Sequence, residues 1–458
     1  MDLSLARISS LLAALPQYTR PTIHIAGTNG KGSVTAILDS ILRDAGFKTG
    51  RFNSPHFLFV RDSIRIDGQA ISQTTYDHAR DCVVEKDISI GSKATSFEIL
   101  TATAFRVFEA AQVDVVLLEV GLGGRLDATN AVPKEAVIAC GITAIDLDHQ
   151  AMLGDTVEAI AREKAGIMKS EVTCVVGRQG HSGVLSVMRE VAGETKAKLV
   201  FIEDSCVIGD AAAVETGDPA SGGGDGSAST VPTQPILVTM RGAQVIRTRL
   251  ALLGTHQLEN VALAVTILEQ LPSLKVTPLN IAQGIRNTRW PGRLHWTSYT
   301  LPVEINSAQR REMRILVDGA HNTASAHALA AYLHGVPRSS PRHFILSLSD
   351  SPPPKTPLST LTPLLMKGDI VALVPFSQVA GMPWVKPVAT EVMNQTVRQL
   401  TGSGEGRSKT FASLEEALGW FSTMAEDDAD TRKPPFVIVT GSLYLVADMF
   451  RLLDGENL

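Results

Sequence analysis

The chain has 458 residues, 44% of them hydrophobic and 19% charged, with a net charge of −5. That length exceeds one core and suits two or three domains of globular composition, and the acidic balance gives no electrostatic case for nucleic acid or an anionic membrane as partner. No apolar run reaches the roughly 20 residues of a membrane span, and the four cysteines include no C-x-x-C pair, which argues against a zinc site or disulfide framework and for a reducing compartment, the cytoplasm by default.

Leu5, Ile8, Leu11, Leu12 and Leu15 read as one apolar face of a first helix. The next stretch, Thr22 to Ala26, is apolar and rich in β-branched residues, as a buried parallel strand is. It breaks into Gly27-Thr28-Asn29-Gly30-Lys31-Gly32-Ser33 and then into the helical spacing Val34, Ile37, Leu38, Ile41, Leu42. Strand, glycine loop and helix make a triphosphate cradle. The glycines let backbone N–H groups close on an anion, the helix N-terminus adds a positive dipole end, Lys31 reaches the outer phosphates and Ser33 offers a hydroxyl. The general pattern G-x-x-x-x-G-K-[ST] is missed twice: Ile25 stands at the first glycine and Gly32 separates Lys31 from Ser33.

Lys48 to Phe52 lead into the polar break Asn53-Ser54-Pro55-His56, where a second strand would end. Thr95-Ser96-Phe97-Glu98 opens a capped helix. Asp114 to Val120 is a second buried strand carrying Glu119 near its end, followed by Gly121-Leu122-Gly123-Gly124-Arg125-Leu126-Asp127-Ala128-Thr129-Asn130. A carboxylate at the end of a buried strand is costly unless paired or metal-bound, and beside a phosphate loop its default partner is Mg²⁺. A third strand, Ala136 to Ile145, runs into Asp146-Leu147-Asp148-His149, and Lys164 closes a helical pattern. Val172 to Val176, Leu199 to Ile202, Ile236 to Val238 and Leu250 to Leu253 read as strands. Ala211 to Thr230, the middle of an insertion at about 208–232, is too poor in large apolar residues to order itself. Gly254 to Ala262 opens another capped helix that includes Asn260, and Trp290-Pro291-Gly292-Arg293 breaks the chain as a linker does. Beyond it, Arg314 to Val317 is a buried strand ending in Asp318-Gly319-Ala320-His321-Asn322. Strands at His343–Ser347, Asp369–Val374 and Phe436–Thr440 complete a second α/β pattern.

Gly-Thr-Asn-Gly-Lys-Gly-Ser and Glu-Val-Gly-Leu-Gly-Gly-Arg-Leu-Asp-Ala-Thr-Asn resemble the signatures of the Mur ligase superfamily, most closely its folate branch of dihydrofolate and folylpolyglutamate synthases. The resemblance covers nearly the whole chain apart from the insertion. It implies an α/β fold: a P-loop ATP- and pterin-binding domain over residues 1–293 with a mostly parallel sheet, and a smaller Rossmann-like glutamate ligase domain over 294–458. It implies ATP and Mg²⁺ as cofactors, with Thr28, Asn29, Gly30, Lys31, Gly32, Ser33, Asn260, Arg293 and Asp318 on the nucleotide. The metal would lie on Ser54, Glu119 and His149, and Lys164 would be carbamylated, so that Lys31, Lys164 and His149 serve the chemistry. Thr95, Ser96, Phe97, Glu98, Leu126, Asp127 and Ala128 would lie on the pterin acid, and His321 would face the amino acid.

Within the branch, Asn29 and Gly381-Met382-Pro383-Trp384 look like fungal dihydrofolate synthases. The sequence departs from the family at Thr323, where proline is usual, and at Ser347 to Lys355, which lacks the usual Asp-Lys-Asp. The expected reaction is ATP-dependent joining of L-glutamate to 7,8-dihydropteroate, with polyglutamate extension of tetrahydrofolate, or both reactions in one enzyme, as the alternative. The expected enzyme is monomeric, its partners are small molecules alone, and a mitochondrial pool is compatible with it. A regulator that keeps the cradle without the chemistry is the rival from another class, and the joint retention of Lys31, Ser54, Glu119, His149 and Lys164 speaks against it.

Overall fold

The computed structural model describes residues 4–202, 207–210, 232–241, 244–300, 312–336, 341–350, 356–402, 407–424 and 436–453. The glycine-rich stretch Ala211 to Thr230 and residues 351–355 of the altered loop lie outside the described residues. The chain divides into two compact units: Met1–Ala251 with His256–Trp290, and Leu252–Thr255 with Pro291–Leu458.

In the first unit the helices are α1 (Ala6–Ala13), α2 (Lys31–Asp44), α3 (Gln73–Ile90), α4 (Ser96–Ala111), α5 (Gln150–Leu153), α6 (Val157–Ala165), α7 (Ser182–Thr195), α8 (His256–Glu269) and α9 (Pro278–Asn287). Its strands are β1 (Thr22–Ala26), β2 (Thr49–Phe52), β3 (Ile64–Ile66), β4 (Gln69–Ala70), β5 (Val115–Glu119), β6 (Val137–Ile142), β7 (Thr173–Val176), β8 (Lys198–Phe201), β9 (Val207–Asp210), β10 (Gln234–Thr239) and β11 (Val245–Leu250). An eight-stranded sheet has the order β4-β3-β2-β5-β1-β6-β7-β8, and β9 to β11 form a separate antiparallel sheet of three. Along that order the strands from β2 to β8 run parallel, with the β3–β4 hairpin antiparallel at one edge. Leu250–Leu253 was expected as a strand, but the strand runs from Val245 and stops at Leu250. The pairing of Leu250 with Gln234 ends the ladder, and Leu252 to Thr255 join the second unit.

Every residue of β1 and of β5 is buried, because helices cover both faces of a parallel sheet. α2 is buried continuously from Ser33 to Leu42, packed by α8 and α9. Each fully buried Leu or Ile here contributes about 1.5–3 kcal/mol, so the helix that starts at the glycine loop is held along its length. The parallel order β2-β5-β1-β6 brings the carboxyl ends of these four strands side by side, where ligands of open α/β sheets bind.

The second unit carries β12 (His295–Thr300), β13 (Glu312–Val317), β14 (His343–Leu346), β15 (Ile370–Leu373), β16 (Ser408–Thr410) and β17 (Val437–Thr440), in the order β12-β13-β17-β14-β15-β16. Among the described strands of this unit, only β12 is antiparallel to its neighbour. Helices α10 (Thr323–Gly335), α11 (Pro357–Leu361), α12 (Thr390–Thr401), α13 (Leu414–Met424) and α14 (Leu443–Leu453) accompany them, over a core that includes Leu316, Leu329, Phe344, Leu346 and Ile438.

Candidate functional site

The loop after β1 is stapled to the end of β6. Thr28 N and Asn29 N donate to the Ala144 carbonyl, and Thr28 Oγ1 bonds the backbone of Asp146. Gly30 begins α2 with φ at 98°, a left-handed conformation that disfavours side chains, and a Cβ there would fall 2.3 Å from Asn260 Oδ1. Asn260 thus packs onto the loop, held by its own bond to Gln257 at 2.8 Å. Gly32 touches the Trp290 indole, whose face stacks under the Arg51 guanidinium at 4.9 Å. Lys31 Nζ folds back on the carbonyls of Gly27 and Thr28, at 3.1 Å each.

Lys164 is buried in the last turn of α6 and donates to the Gly27 carbonyl at 2.8 Å. Burial, and then the neighbouring Lys31 charge, pull its pKa from 10.5 down to about 7. Among the described residues it forms no ion pair with a carboxylate.

At the ends of β2 and β5, Asn53 Nδ2 donates to Glu119 Oε2 at 2.7 Å and to Thr35 Oγ1 at 2.8 Å, all buried. Next to Asn53, Ser54 Oγ is buried with no hydrogen-bond partner among the described residues. A buried hydroxyl without a partner costs free energy, and here it adjoins a residue bonded to a buried carboxylate. Hydroxyl and carboxylate are the hard oxygen donors that Mg²⁺ takes. Such an ion keeps several waters and substrate oxygens, so it needs few protein ligands. That agrees with the absence, among the described residues, of any convergent group of three His, Cys, Asp or Glu side chains. His149 lies beyond the end of β6 with φ at 52°, its ring about half exposed and 3.9 Å from Asp148 Oδ2.

The glycine-rich run after Glu119 is closed by Asp127. Its Oδ2 accepts from Leu122 N at 2.7 Å and its Oδ1 from Thr129 N at 3.0 Å and from the Thr129 hydroxyl, and burial raises its pKa. Thr129 Oγ1 is in turn 2.9 Å from Nε2 of His24, inside β1. The Phe97 ring lies against Gly121, with Thr95 capping α4 behind it. Glu98 is occupied elsewhere: it completes the capping box with Thr95 N at 2.6 Å and pairs with Arg7 at 3.1 Å. Ser96 begins α4, Leu126 lies within the loop, and Ala128 packs in the cluster with Ile8 and Leu11.

Arg293, Asp318 and His321 belong to the second unit. Asp318 accepts from Leu294 N at 2.8 Å and Ala320 N at 2.9 Å, and burial raises its pKa against the lowering effect of Arg293. His321 Nδ1 donates to the Gly319 carbonyl at 2.8 Å, and Asn322 caps α10. In the first unit, the strand order gathers Lys31, Lys164, Ser54 and Glu119 along one sheet edge. Sequence reading passed over Asn53, Trp290 as a wall of the loop, and the His24–Thr129 bond. The available signals were an asparagine at a strand end and a histidine inside an apolar strand.

The chain matches the Mur ligase middle domain family over residues 25–268 and the family described as dihydrofolate synthetase, C-terminal domain, over 301–452. It is 36% identical over 459 residues to a probable dihydrofolate synthetase of Schizosaccharomyces pombe, covering 99% of each chain. It is 32% identical over 462 residues to the dihydrofolate synthetase of Saccharomyces cerevisiae, covering 100% of this chain and 99% of that one. Among solved structures it is similar to Mycobacterium tuberculosis folylpolyglutamate synthase complexed with ADP and AMPPCP, with a TM-score of 0.80 at 28% identity over 99% of this chain and 96% of that one.

Proposed function

The chain belongs to the Mur ligase family, in its branch of dihydrofolate and folylpolyglutamate synthases, and on that premise we propose that it joins L-glutamate to 7,8-dihydropteroate to give dihydrofolate. It is an ATP-dependent ligase of folate metabolism that forms an amide with glutamate. The choice of dihydropteroate is supported by full-length similarity to the two fungal dihydrofolate synthetases.

The observation that carries the mechanism is the side-by-side placing of the phosphate loop and of the carboxyl ends of β2 and β5. The loop's backbone N–H groups and Lys31 would hold the triphosphate, releasing Lys31 from the carbonyls it now bonds. An acceptor carboxylate oxygen attacks the γ-phosphorus, the bond to the β,γ-bridging oxygen breaks, and ADP leaves. The glutamate amine then attacks the acyl carbon, the bond to the phosphate oxygen breaks, and the amine gives up a proton to leave the amide. Catalysis is placement and charge neutralisation, with no protein nucleophile. Ser54 and Glu119 would hold Mg²⁺, joined by His149 by family resemblance; the ion would neutralise charge on the phosphoryl oxygens. Lys164, buried with a lowered pKa, suits carbamylation by CO₂, which needs a neutral amine. On the second unit, Arg293 and Asp318 would meet the nucleotide and His321 the amino acid. Among the described residues no helix is long and apolar enough to cross a membrane; a monomeric cytoplasmic enzyme with small-molecule partners completes the reading.

The test is an assay with ATP, labelled glutamate and each acceptor in turn. Label carried into dihydropteroate supports the reading. Label carried only into reduced folates would replace it with polyglutamate extension.

A further inference from the structure

His24 is the middle residue of β1, fully buried, three positions before Gly27. Its strand partners are Leu118 and Cys140, so the sheet itself has no use for an imidazole there. Burying a polar ring is costly unless it is bonded, and the bond it makes crosses to the other glycine-rich loop. The Thr129 hydroxyl has one proton, which it gives to Asp127 Oδ1, so at 2.9 Å it must accept from His24 Nε2–H. That fixes the tautomer and leaves Nδ1 as a bare, buried lone pair without a partner among the described residues. Burial, with Lys169 as the nearby cation, lowers the His24 pKa to about 3, so the ring stays neutral and keeps donating at any working pH. The line His24–Thr129–Asp127 therefore runs from the strand that launches the phosphate loop to the carboxylate that closes the loop 121–130.

We infer that His24 and Thr129 are positioning residues that set the distance between the phosphate loop and the acceptor loop, so that the acceptor carboxylate meets the γ-phosphoryl group. This rests on the reading of residues 121–130 as the loop over the pterin acid. A displacement of about 1 Å at a reacting pair costs on the order of a hundredfold in rate. ATP binding draws on the loop 27–33 and is spared. Water can then take the phosphoryl group in place of the misplaced acceptor, releasing ADP and phosphate with no amide formed.

The experiment uses the full chain and four variants: His24→Leu, His24→Gln, Thr129→Val and Thr129→Ser. Gln presents an N–H near the place of Nε2, and Ser keeps the hydroxyl, so these two are the rescuing changes. Three readouts apply: kcat and KM for the acceptor, binding of a non-hydrolysable ATP analogue, and amide formed per ADP released. His24→Leu and Thr129→Val should each lower kcat about tenfold to a hundredfold, with analogue affinity within about twofold of the parent and amide per ADP falling below one. The Gln and Ser variants should recover most of the rate and the coupling, and the double Leu/Val variant should be no worse than either single change. The pH profile of His24→Gln should match that of the parent. Parental kcat and coupling in His24→Leu or Thr129→Val, additive losses in the double variant, or analogue binding lost in step with kcat would each overturn the inference while the ligase reading stands. A parent protein that adds glutamate to no pterin acid would overturn that reading, and this inference with it.

Discussion

Lys164 and Lys31 both donate to the Gly27 carbonyl, at 2.8 and 3.1 Å. Burial, and then repulsion from the Lys31 charge, pulls the Lys164 pKa down to about 7. The phosphate loop thus has beside it, in Lys164, an amine that is half neutral near physiological pH.

Lys164 is a cation below about pH 7 and neutral above it. Its reaction with CO₂ should increase as pH rises through 7. Carbon-13 NMR with labelled bicarbonate should show a carbamate signal that grows over this range and is lost in Lys164→Met. The same variant should lose ligase activity by about a hundredfold or more. No carbamate signal at any pH would remove the role assigned to Lys164.

The stability of the protein should follow the same group with a defined sign. Between about 7 and 10.5 the unfolded chain holds a proton on Lys164 that the folded chain lacks. Stability must therefore rise with pH across that window. In CO₂-depleted buffer, Lys164→Met should be more stable than the parent below pH 7, and its advantage should shrink as pH climbs toward 10.5. Denaturant midpoints at several pH values measure this.

Glu119→Gln should keep the fold, because an amide oxygen can still accept from Asn53. It removes the charge that suits a divalent cation. The expected result is a kcat lower by about a hundredfold and a Mg²⁺ requirement moved to higher concentration, with folding unaffected. A Mg²⁺ titration of activity decides it, and an unchanged midpoint would exclude Glu119 as a ligand.

Gly32→Ala would drive its Cβ to 2.7 Å from the Trp290 indole. ATP affinity should fall by about tenfold or more, since the loop must shift to relieve the overlap. Trp290→Phe, which trims the indole, should restore part of that affinity in the double variant. Analogue binding by calorimetry would show whether the two positions are coupled.

Glu98→Ala separates a structural role from a substrate contact. The carboxylate caps α4 and pairs with Arg7, so its removal should cost about 1–2 kcal/mol of stability. The Michaelis constant for the pterin acid should change little. A large rise in that constant at unchanged stability would return Glu98 to the substrate.

The strands, the phosphate loop and the chemistry of the chain are legible in the order of its amino acids. A continuous β-branched run can only be buried on both faces, and glycines at 27, 30 and 32 around Lys31 have few uses other than an anion. Such signals are local and survive without coordinates. The helical pattern alone offers no means of choosing between a solvated and a buried Lys164, because burial is a property of what packs over a helix end and not of the helix. Nor does the order of amino acids give His24 a use, for its partner Thr129 lies 105 positions away. Glu98, expected on the pterin acid, is held in the folded chain by its own helix cap and by Arg7. Tertiary packing decided what each of the three bonds to. Strand order β2-β5-β1-β6 sets which loop ends meet, and with them which partners come within reach of a buried polar group, for which an unmade bond costs free energy.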